Sequence, residues 1–196
     1  MKILLATYNK HKLFEIRELM KSSGIEIVGL EDMNYFEDIV EDGKSFIENA
    51  LIKAETIYNK FRIPVLADDS GISIDALDGR PGIHSARFAG EDTDPAEKNK
   101  LIIDMLKGEK NRNAHYTCAL AYVDENEKFI IEKYCHGVII DSQTGSNGFG
   151  YDPIFYIEAF GRTLAEISIE EKNKISHRGQ ALREFKRHIE DRNSMT

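Results

Sequence analysis

The chain has 196 residues, of which 41% are hydrophobic and 31% charged, as is usual for a globular protein. Its net charge of −8 argues against broad nucleic-acid binding, and its longest apolar run, residues 118–123, cannot span a membrane. The apolar run after Lys2 is too short for a signal peptide, so we expect a cytoplasmic protein. Cys118 and Cys135 lie in apolar runs and are predicted to be buried free thiols.

The spacing of apolar residues predicts a mixed α/β fold with a long antiparallel component, without strict alternation of strand and helix. We expect one domain over residues 1–196, with two lobes that share one core. In the first part of the chain, we predict a strand at 2–6, a helix at about 11–23, a strand at 26–29 and a helix after the capping pair Ser45 and Glu48. Strands at 65–67 and 72–77 follow, around a turn at 68–71, and then a helix from Asp94-Pro95 to about 107. The last elements are a hairpin of strands at 116–123 and 128–140 and a final helix capped by Ser176.

The segment from Thr7 to Lys12 leads from the first strand into the first helix. Hydroxyl and amide side chains, lysines and the backbone N–H groups of a helix start together suit a polyphosphate. A polar surface loop with solvated lysines is the alternative interpretation.

Two adjacent carboxylates, Asp68 and Asp69, end a short apolar run and precede Ser70-Gly71. Side chains that are adjacent in an extended segment point to opposite faces, so we expect the two carboxylates to serve different partners. One of them could bind Mg²⁺, which needs only one or two carboxylates, and could accept a proton from water. The alternative is an aspartate-rich turn, but Lys53, within an otherwise apolar helix face, favours an ionic site.

The segment 145–155, GSNGFGYDPIF, is rich in glycine and aromatic residues. Glycines allow the backbone to approach a ligand closely, and Phe149 and Tyr151 offer flat faces for a nucleobase. A glycine-rich loop whose aromatic residues fill the core is an equally good interpretation.

A polar cluster, Lys172, Ser176, His177 and Arg178, precedes the last helix. Basic side chains are mildly unfavourable at a helix start, which hints at an anionic or electron-rich partner. A capped surface helix is the alternative. Taken together, the four segments indicate a nucleoside triphosphate site without a P-loop.

The order and spacing of six motifs resemble those of the inosine-triphosphate pyrophosphatases, also called dITP/XTP diphosphatases, over about residues 2–190. The motifs are Thr7-x-Asn9-x-x-Lys12, Glu41-Asp42-Gly43 with Phe46-x-Glu48-Asn49-Ala50, Ala67-Asp68-Asp69-Ser70-Gly71, Pro81-Gly82 with Ser85-Ala86-Arg87, Gly148-Phe149-Gly150-Tyr151-Asp152-Pro153, and Ser176-His177-Arg178-Gly179.

The resemblance implies an elongated α/β fold of two lobes around a long mixed sheet, with the active site in the cleft between the lobes, and a homodimer. It implies Mg²⁺-dependent hydrolysis of ITP, dITP and XTP to the monophosphate and pyrophosphate. It also implies that Glu41 and Asp69 bind the metal and that Asp69 accepts the proton of the attacking water. Asp68 would face away and brace the turn, or join the outer shell of the metal.

The remaining site residues also follow from the resemblance. It implies that the triphosphate is bound by Thr7, Tyr8, Asn9, Lys10, His11 and Lys12, with help from Lys53. Ser70 would touch the substrate. The base would lie against Phe149, Gly150, Tyr151 and Asp152, and its 6-oxo edge would be read by Lys172, His177 and Arg178.

Three alternatives remain open at this point. A pyrophosphatase with another base preference would keep the same fold and reaction. A nucleotide sensor without turnover would bind nucleotides but release no pyrophosphate. An RNA-binding module would use the basic residues of the last helix and would show salt-dependent binding.

Overall fold

The computed structural model describes residues 1–90 and 92–194. Within these residues, seven strands form one sheet and five α-helices flank it. The strands are β1 (Lys2–Leu5), β2 (Glu26–Gly29), β3 (Val65–Ile74), β4 (Asn113–Val123), β5 (Lys128–Ile139), β6 (Phe155–Ile157) and β7 (Arg162–Thr163). The helices are α1 (Lys10–Met20), α2 (Phe46–Phe61), α3 (Pro95–Met105), α4 (Ile169–Ile175) and α5 (His177–Ser194).

The sheet has the order β2-β1-β3-β4-β5-β6-β7. β1 pairs in parallel with β2 and with β3, whereas β5, β6 and β7 pair antiparallel. β4 and β5 form the predicted hairpin, in which Asp124 N donates to Glu127 O at 3.1 Å. The sheet is therefore mixed, as predicted. No helix within residues 1–90 and 92–194 is long and apolar enough to cross a membrane.

Local capping signals mark the helix starts correctly. Ser45 Oγ accepts from Glu48 N at 3.1 Å, and Asp94 Oδ1 accepts from Ala96 N at 2.8 Å with Pro95 in the first turn. The return contact of the capping box goes to Lys44, whose N donates to Glu48 Oε2 at 2.6 Å.

The predicted turn at residues 68–71 is wrong, because β3 runs without interruption through these residues. Aspartate, serine and glycine favour turns in local sequence. Here Gly71 permits a close approach instead, since a Cβ at this position would lie 2.4 Å from Ser85 Oγ and 2.5 Å from Gly82 O. Ser85 Oγ also accepts from Ile72 N at 2.9 Å, so neighbouring chain supports the extended conformation.

The chain divides into two compact units, and the first comprises Met1–Asp69, Cys118–Lys133 and the residues from Arg178 onward. Its part of the sheet is buried on both faces. Alternate residues of β1, and Ala6 directly after it, belong to two cores: Ile3 and Leu5 pack with α1 and α5, whereas Leu4 and Ala6 pack with α2. This alternation is the period of an extended strand.

The second unit comprises Ser70–Thr117 and Tyr134–His177 and has one core of its own. Ile102 of α3, Tyr116 of β4 and Phe155 of β6 pack in this core. The short helix α4 was not predicted. It begins at a capping box in which Ser168 and Glu171 bond reciprocally, and it carries Lys172.

Candidate active site

Asp68 and Asp69 face opposite sides of β3, because side chains alternate in an extended strand. Leu66, on the face of Asp68, belongs to the core formed with α1 and α5. Ala67, on the face of Asp69, belongs to the core formed with α2. The prediction that the two carboxylates serve different partners is confirmed by their contacts.

Asp68 is fully buried at the centre of one ionic network in the first unit. Its Oδ2 accepts from Arg178 Nε at 2.9 Å and from Cys118 Sγ at 3.2 Å, and its Oδ1 lies 2.5 Å from Lys12 Nζ. Arg178 Nη1 also donates to Glu15 Oε2 at 2.6 Å. Burial alone would raise the pKa of Asp68, but the charges of Arg178 and Lys12 outweigh it and hold the pKa well below its usual range. Asp68 is therefore ionised and fixes both cations.

Asp69 belongs to a second network on the other face of β3. Its Oδ1 accepts from Lys53 Nζ at 3.1 Å, and Lys53 Nζ also donates to Glu41 Oε2 at 2.7 Å. Burial and the Glu41 charge raise the pKa of Asp69, although Lys53 and Lys12 act in the opposite direction. Burial would lower the pKa of Lys53, but Asp69 and Glu41 together raise it. The predicted metal ligands thus meet at one ammonium group.

Asn49, on α2, joins this network without having been assigned a role from the sequence. Its Nδ2 donates to Asp69 Oδ2 at 3.2 Å, and its Oδ1 accepts from Gly43 N at 2.9 Å. Because a backbone N–H can only donate and a carboxylate only accepts, these contacts fix the orientation of the amide. Asn49 therefore links Asp69 to the segment that carries Glu41. In the sequence, the only sign of a role for Asn49 was its position next to Glu48 in one of the six motifs.

The predicted phosphate-binding segment surrounds the start of α1. Asn9 caps the helix, and its Oδ1 accepts from His11 N at 3.0 Å and from Lys12 N at 3.1 Å. Thr7 Oγ1 accepts from Asn9 N at 3.2 Å. Tyr8 is exposed, and its hydroxyl donates to the backbone O of Glu37 at 2.9 Å. Lys10 and His11 are exposed in the first turn of α1.

In the second unit, Asp152 organises the predicted base-binding residues. Its Oδ2 accepts from Lys172 Nζ at 2.6 Å and from Phe149 N at 2.9 Å, and Lys172 Nζ lies 4.9 Å from the centre of the Phe149 ring. Gly148 has φ +73°, and a Cβ there would lie 2.0 Å from Asp152 Oδ2. Only glycine at this position leaves room for the carboxylate. The structure thus brings three predicted residues together.

The other residues of this loop differ in exposure. Tyr151 is buried in the core, where its hydroxyl donates to Ser85 O at 2.8 Å, so for Tyr151 the core interpretation applies. Burial raises its pKa above the usual range. Phe149 is partly exposed, and Gly150 O accepts from Asn99 Nδ2 at 3.1 Å. Asn99 was not identified from the sequence.

Two predicted residues, Ser70 and His177, lie in regular elements. Ser70 follows Asp69 in β3 and is partly exposed. His177 is the first residue of α5 and is buried against Tyr116, a residue that was not assigned a role from the sequence.

Glu41 and Asp69 are the candidate metal ligands of the first unit. Within residues 1–90 and 92–194, no group of three or more His, Cys, Asp or Glu side chains is arranged to hold an ion. Mg²⁺ does not require such a group, because it binds through one or two carboxylates, water and substrate phosphates. Glu41 and Asp69, which share the Lys53 ammonium, have this chemistry.

The sequence model of the Ham1 family matches residues 3–188. The chain belongs to the Ham1 family. A relative from Thermoanaerobacter sp. strain X514 named dITP/XTP pyrophosphatase is 43% identical over 191 residues, which cover 96% of each chain. A relative of the same name from Campylobacter jejuni serotype O:2 is 45% identical over 93% of this chain and 94% of the relative. The family resemblance predicted from the motifs is confirmed.

Solved structures of Ham1 family members agree with the fold. The Staphylococcus aureus Ham1 protein superposes with a TM-score of 0.89 at 32% identity and covers 98% of this chain and 100% of its own. The Coxiella burnetii HAM1 protein gives a TM-score of 0.89 at 37% identity, covering 97% and 99%. The predicted α/β fold with a mixed sheet is therefore confirmed.

Proposed function

We propose that this Ham1 family protein hydrolyses deaminated purine nucleoside triphosphates, namely ITP, dITP and XTP, to the monophosphate and pyrophosphate, and so removes them from the nucleotide pool. The observation that carries the proposal is the meeting of Glu41 and Asp69 at the Lys53 ammonium. It occurs in a chain that is 43% identical, over 96% of both lengths, to a protein named dITP/XTP pyrophosphatase.

The first unit has the groups that phosphoanhydride cleavage needs. This reaction depends on neutralising charge and positioning water more than on covalent chemistry. Lys12 and Lys53 supply positive charge for the phosphates, and Asp68 and Asp69 hold them. Burial and Glu41 raise the pKa of Asp69, which makes its carboxylate a stronger proton acceptor for water.

We assign a Mg²⁺ ion to Glu41 and Asp69, and when bound it would neutralise charge on the phosphates. Binding can be measured without turnover, with Mn²⁺ as an electron paramagnetic resonance probe and a non-hydrolysable ITP analogue. Glu41→Gln and Asp69→Asn are expected to abolish Mn²⁺ binding. Asp42→Asn, which changes an exposed neighbouring acid, should leave it intact. Unchanged binding in the first two variants would rule out this ligand set.

The second unit has the groups that suit the base. We assign Phe149 to stacking and Lys172 and His177 to hydrogen bonds with the 6-oxo group, while a contact of Arg178 with the base stays a prediction from the resemblance. The Lys172 ammonium already lies near the face of the Phe149 ring. An adenine amino group would meet a donor and leave buried groups unpaired, which can cost a factor of about 10⁴ in favourable cases.

Pyrophosphate release from ITP, XTP, GTP and ATP, each with Mg²⁺ and with chelator, tests the proposal. We expect Mg²⁺-dependent release from ITP and XTP only, with Asp69→Asn slowed by roughly 10²–10⁴-fold. Equal turnover of all four would contradict the base assignment but keep the reaction. No pyrophosphate from any of them would favour the nucleotide sensor.

Three further features stay predictions from the resemblance and the sequence: a single domain over residues 1–196, a homodimer and a cytoplasmic location. Light scattering coupled to size-exclusion chromatography would test the dimer, and cell fractionation would test the location.

A further inference from the structure

Tyr116 and His177 form a nearly parallel ring stack in the second unit. The ring centroids are 4.7 Å apart and the planes differ by 2°. Both side chains are buried. Because the rings overlap face to face in a packed interior, Tyr116 restricts the imidazole of His177 to one plane.

The hydroxyl of Tyr116 contacts a second member of the predicted base-binding group. It donates to Asp152 Oδ1 at 3.4 Å, while Asp152 Oδ2 accepts from Lys172 Nζ at 2.6 Å and from Phe149 N at 2.9 Å. One tyrosine therefore touches His177 with its ring and, with its hydroxyl, the carboxylate that holds Lys172 and Phe149.

Tyr116 is itself held firmly. Phe155 packs edge-on against its ring, with centroids 4.8 Å apart and an interplanar angle of 61°. Burial and the Asp152 charge raise the pKa of Tyr116 well above its usual range, so the phenol remains a donor at neutral pH. A hydrogen bond between the backbone of His177 and the thiol of Cys135 also holds the chain at this residue.

We infer that Tyr116 is a positioning residue for base recognition, whose ring sets the plane of His177. The inference rests on the proposed function of His177, Lys172 and Phe149 toward the base. Hydrogen bonds weaken steeply when their angle departs from linearity, so the orientation of a donor decides how well it discriminates. Tyr116 thus acts through its neighbours, and no contact with the nucleotide is needed.

Two substitutions separate the roles of the ring and the hydroxyl. Tyr116→Phe keeps the stack and should change the KM for ITP by less than about threefold. Tyr116→Met removes the ring but stays apolar, and should raise the KM for ITP about tenfold while kcat changes little, because only binding away from the reacting phosphate is lost. It should also reduce the preference for ITP over ATP.

A double-mutant cycle tests whether Tyr116 acts through its neighbour. In a His177→Ala background, Tyr116→Met should have little further effect on KM, since the ring it orients is absent. Full additivity would overturn the inference. Tyr122→Met is a matched control, because Tyr122 is buried in the same strand and its hydroxyl also donates to an aspartate, Asp124. It should lower the melting temperature but leave the KM for ITP unchanged.

Proton NMR supplies a readout independent of turnover. The His177 ring signals, assigned by their loss in His177→Ala, should shift downfield in Tyr116→Met but not in Tyr116→Phe, because the shielding Tyr116 ring is gone. Absence of the shift would overturn the inference whatever the activity. If the wild type shows the shielded signals but does not hydrolyse ITP, the proposed function fails while the stack remains established.

Discussion

Asp68 and Asp69 are consecutive residues of β3, yet their carboxylates belong to separate ionic networks on opposite faces of the strand. Asp68 is fully buried between Arg178 and Lys12, and its pKa is lowered. Asp69 shares Lys53 with Glu41, and its pKa is raised. The surroundings of Asp68 stabilise its ionised form, whereas those of Asp69 make its carboxylate a stronger proton acceptor. Substitutions of the two residues should therefore have different consequences.

Asp68→Asn should strongly destabilise the fold. The amide keeps the shape of the side chain but removes the charge that balances buried Arg178 and partly buried Lys12. Breaking one partner of a buried ion pair costs about 3–5 kcal/mol, and Glu15, which still pairs with Arg178, supplies one negative charge for two cations. Urea unfolding of both proteins gives the difference directly.

Asp32→Asn is the control for Asp68→Asn, because Asp32 pairs with Arg17 at the surface, where both side chains are exposed. Exposed pairs contribute at most about 1 kcal/mol. If both substitutions lowered the free energy of unfolding equally, the buried network would not be the stabilising feature described above.

Asp69→Asn should remove turnover without loss of stability. A raised pKa means that the ionised carboxylate is less favourable in the folded than in the unfolded protein. The asparagine can still accept from Asn49, and Lys53 retains Glu41. We expect a free energy of unfolding equal to or above that of the wild type, together with loss of pyrophosphate release. A destabilisation as large as that of Asp68→Asn would contradict the division of roles.

The two carboxylates also predict opposite dependences of stability on pH. The pKa of Asp68 in the folded protein lies below its unfolded value of about 3.9. The contribution of Asp68 to the free energy of unfolding is therefore complete above that pH, and it is lost as the pH falls toward the folded pKa. The folded pKa of Asp69 lies above its unfolded value, so its contribution is present at low pH and is lost as the pH rises through the folded pKa.

Urea unfolding between pH 7 and pH 3 would show in which direction the free energy of unfolding changes with pH for each variant. The difference in stability between wild type and Asp68→Asn should be constant near neutrality and shrink below about pH 4. Any excess in the free energy of unfolding of Asp69→Asn over that of the wild type should be largest near neutral pH and disappear at acidic pH. If the difference in free energy of unfolding between wild type and Asp68→Asn became larger at acidic pH, the network would not be what keeps the Asp68 carboxylate ionised.

Local sequence predicted the parts of the fold that local chemistry determines. Ser45 and Asp94 cap helices where the sequence places them, and the β4–β5 hairpin turns at Asp124. The predicted turn at 68–71 was wrong because the residues that contact this extended stretch come from elsewhere in the chain: Ser85 is 13 residues from Ile72, and Arg178 is 110 residues from Asp68. α4 was missed because it is short and largely charged, although its Ser168 capping box was a readable signal.

For the candidate site, motif order identified the family, and side-chain alternation in an extended segment predicted the separate faces of Asp68 and Asp69. Neither predicted the supporting contacts. Asn49 contacts Asp69, which is 20 positions away in the sequence, and Tyr116 contacts Asp152, which is 36 positions away. No periodicity or spacing in the sequence records such partners, because they follow from the pairing of strands and the packing of helices on them.

Gly148→Ala should impair base binding by displacing Asp152. A Cβ at position 148 would lie 2.0 Å from Asp152 Oδ2, so the carboxylate must move and release Lys172 and the Phe149 backbone. We expect the KM for ITP to rise by roughly tenfold or more with a smaller change in kcat, as for lost binding distant from the reacting phosphate. Steady-state kinetics with ITP would measure both.

Gly79→Ala separates this displacement from backbone strain. Gly79 has φ +79°, close to the +73° of Gly148, but an added Cβ there meets nothing within 4 Å. Both substitutions should therefore carry the same left-handed strain, about 1–2 kcal/mol, while only Gly148→Ala disturbs Asp152. An equal rise of KM in the two variants would mean that strain, and not the position of Asp152, limits nucleotide binding. A rise confined to Gly148→Ala would place Asp152 as the support of Phe149 and Lys172.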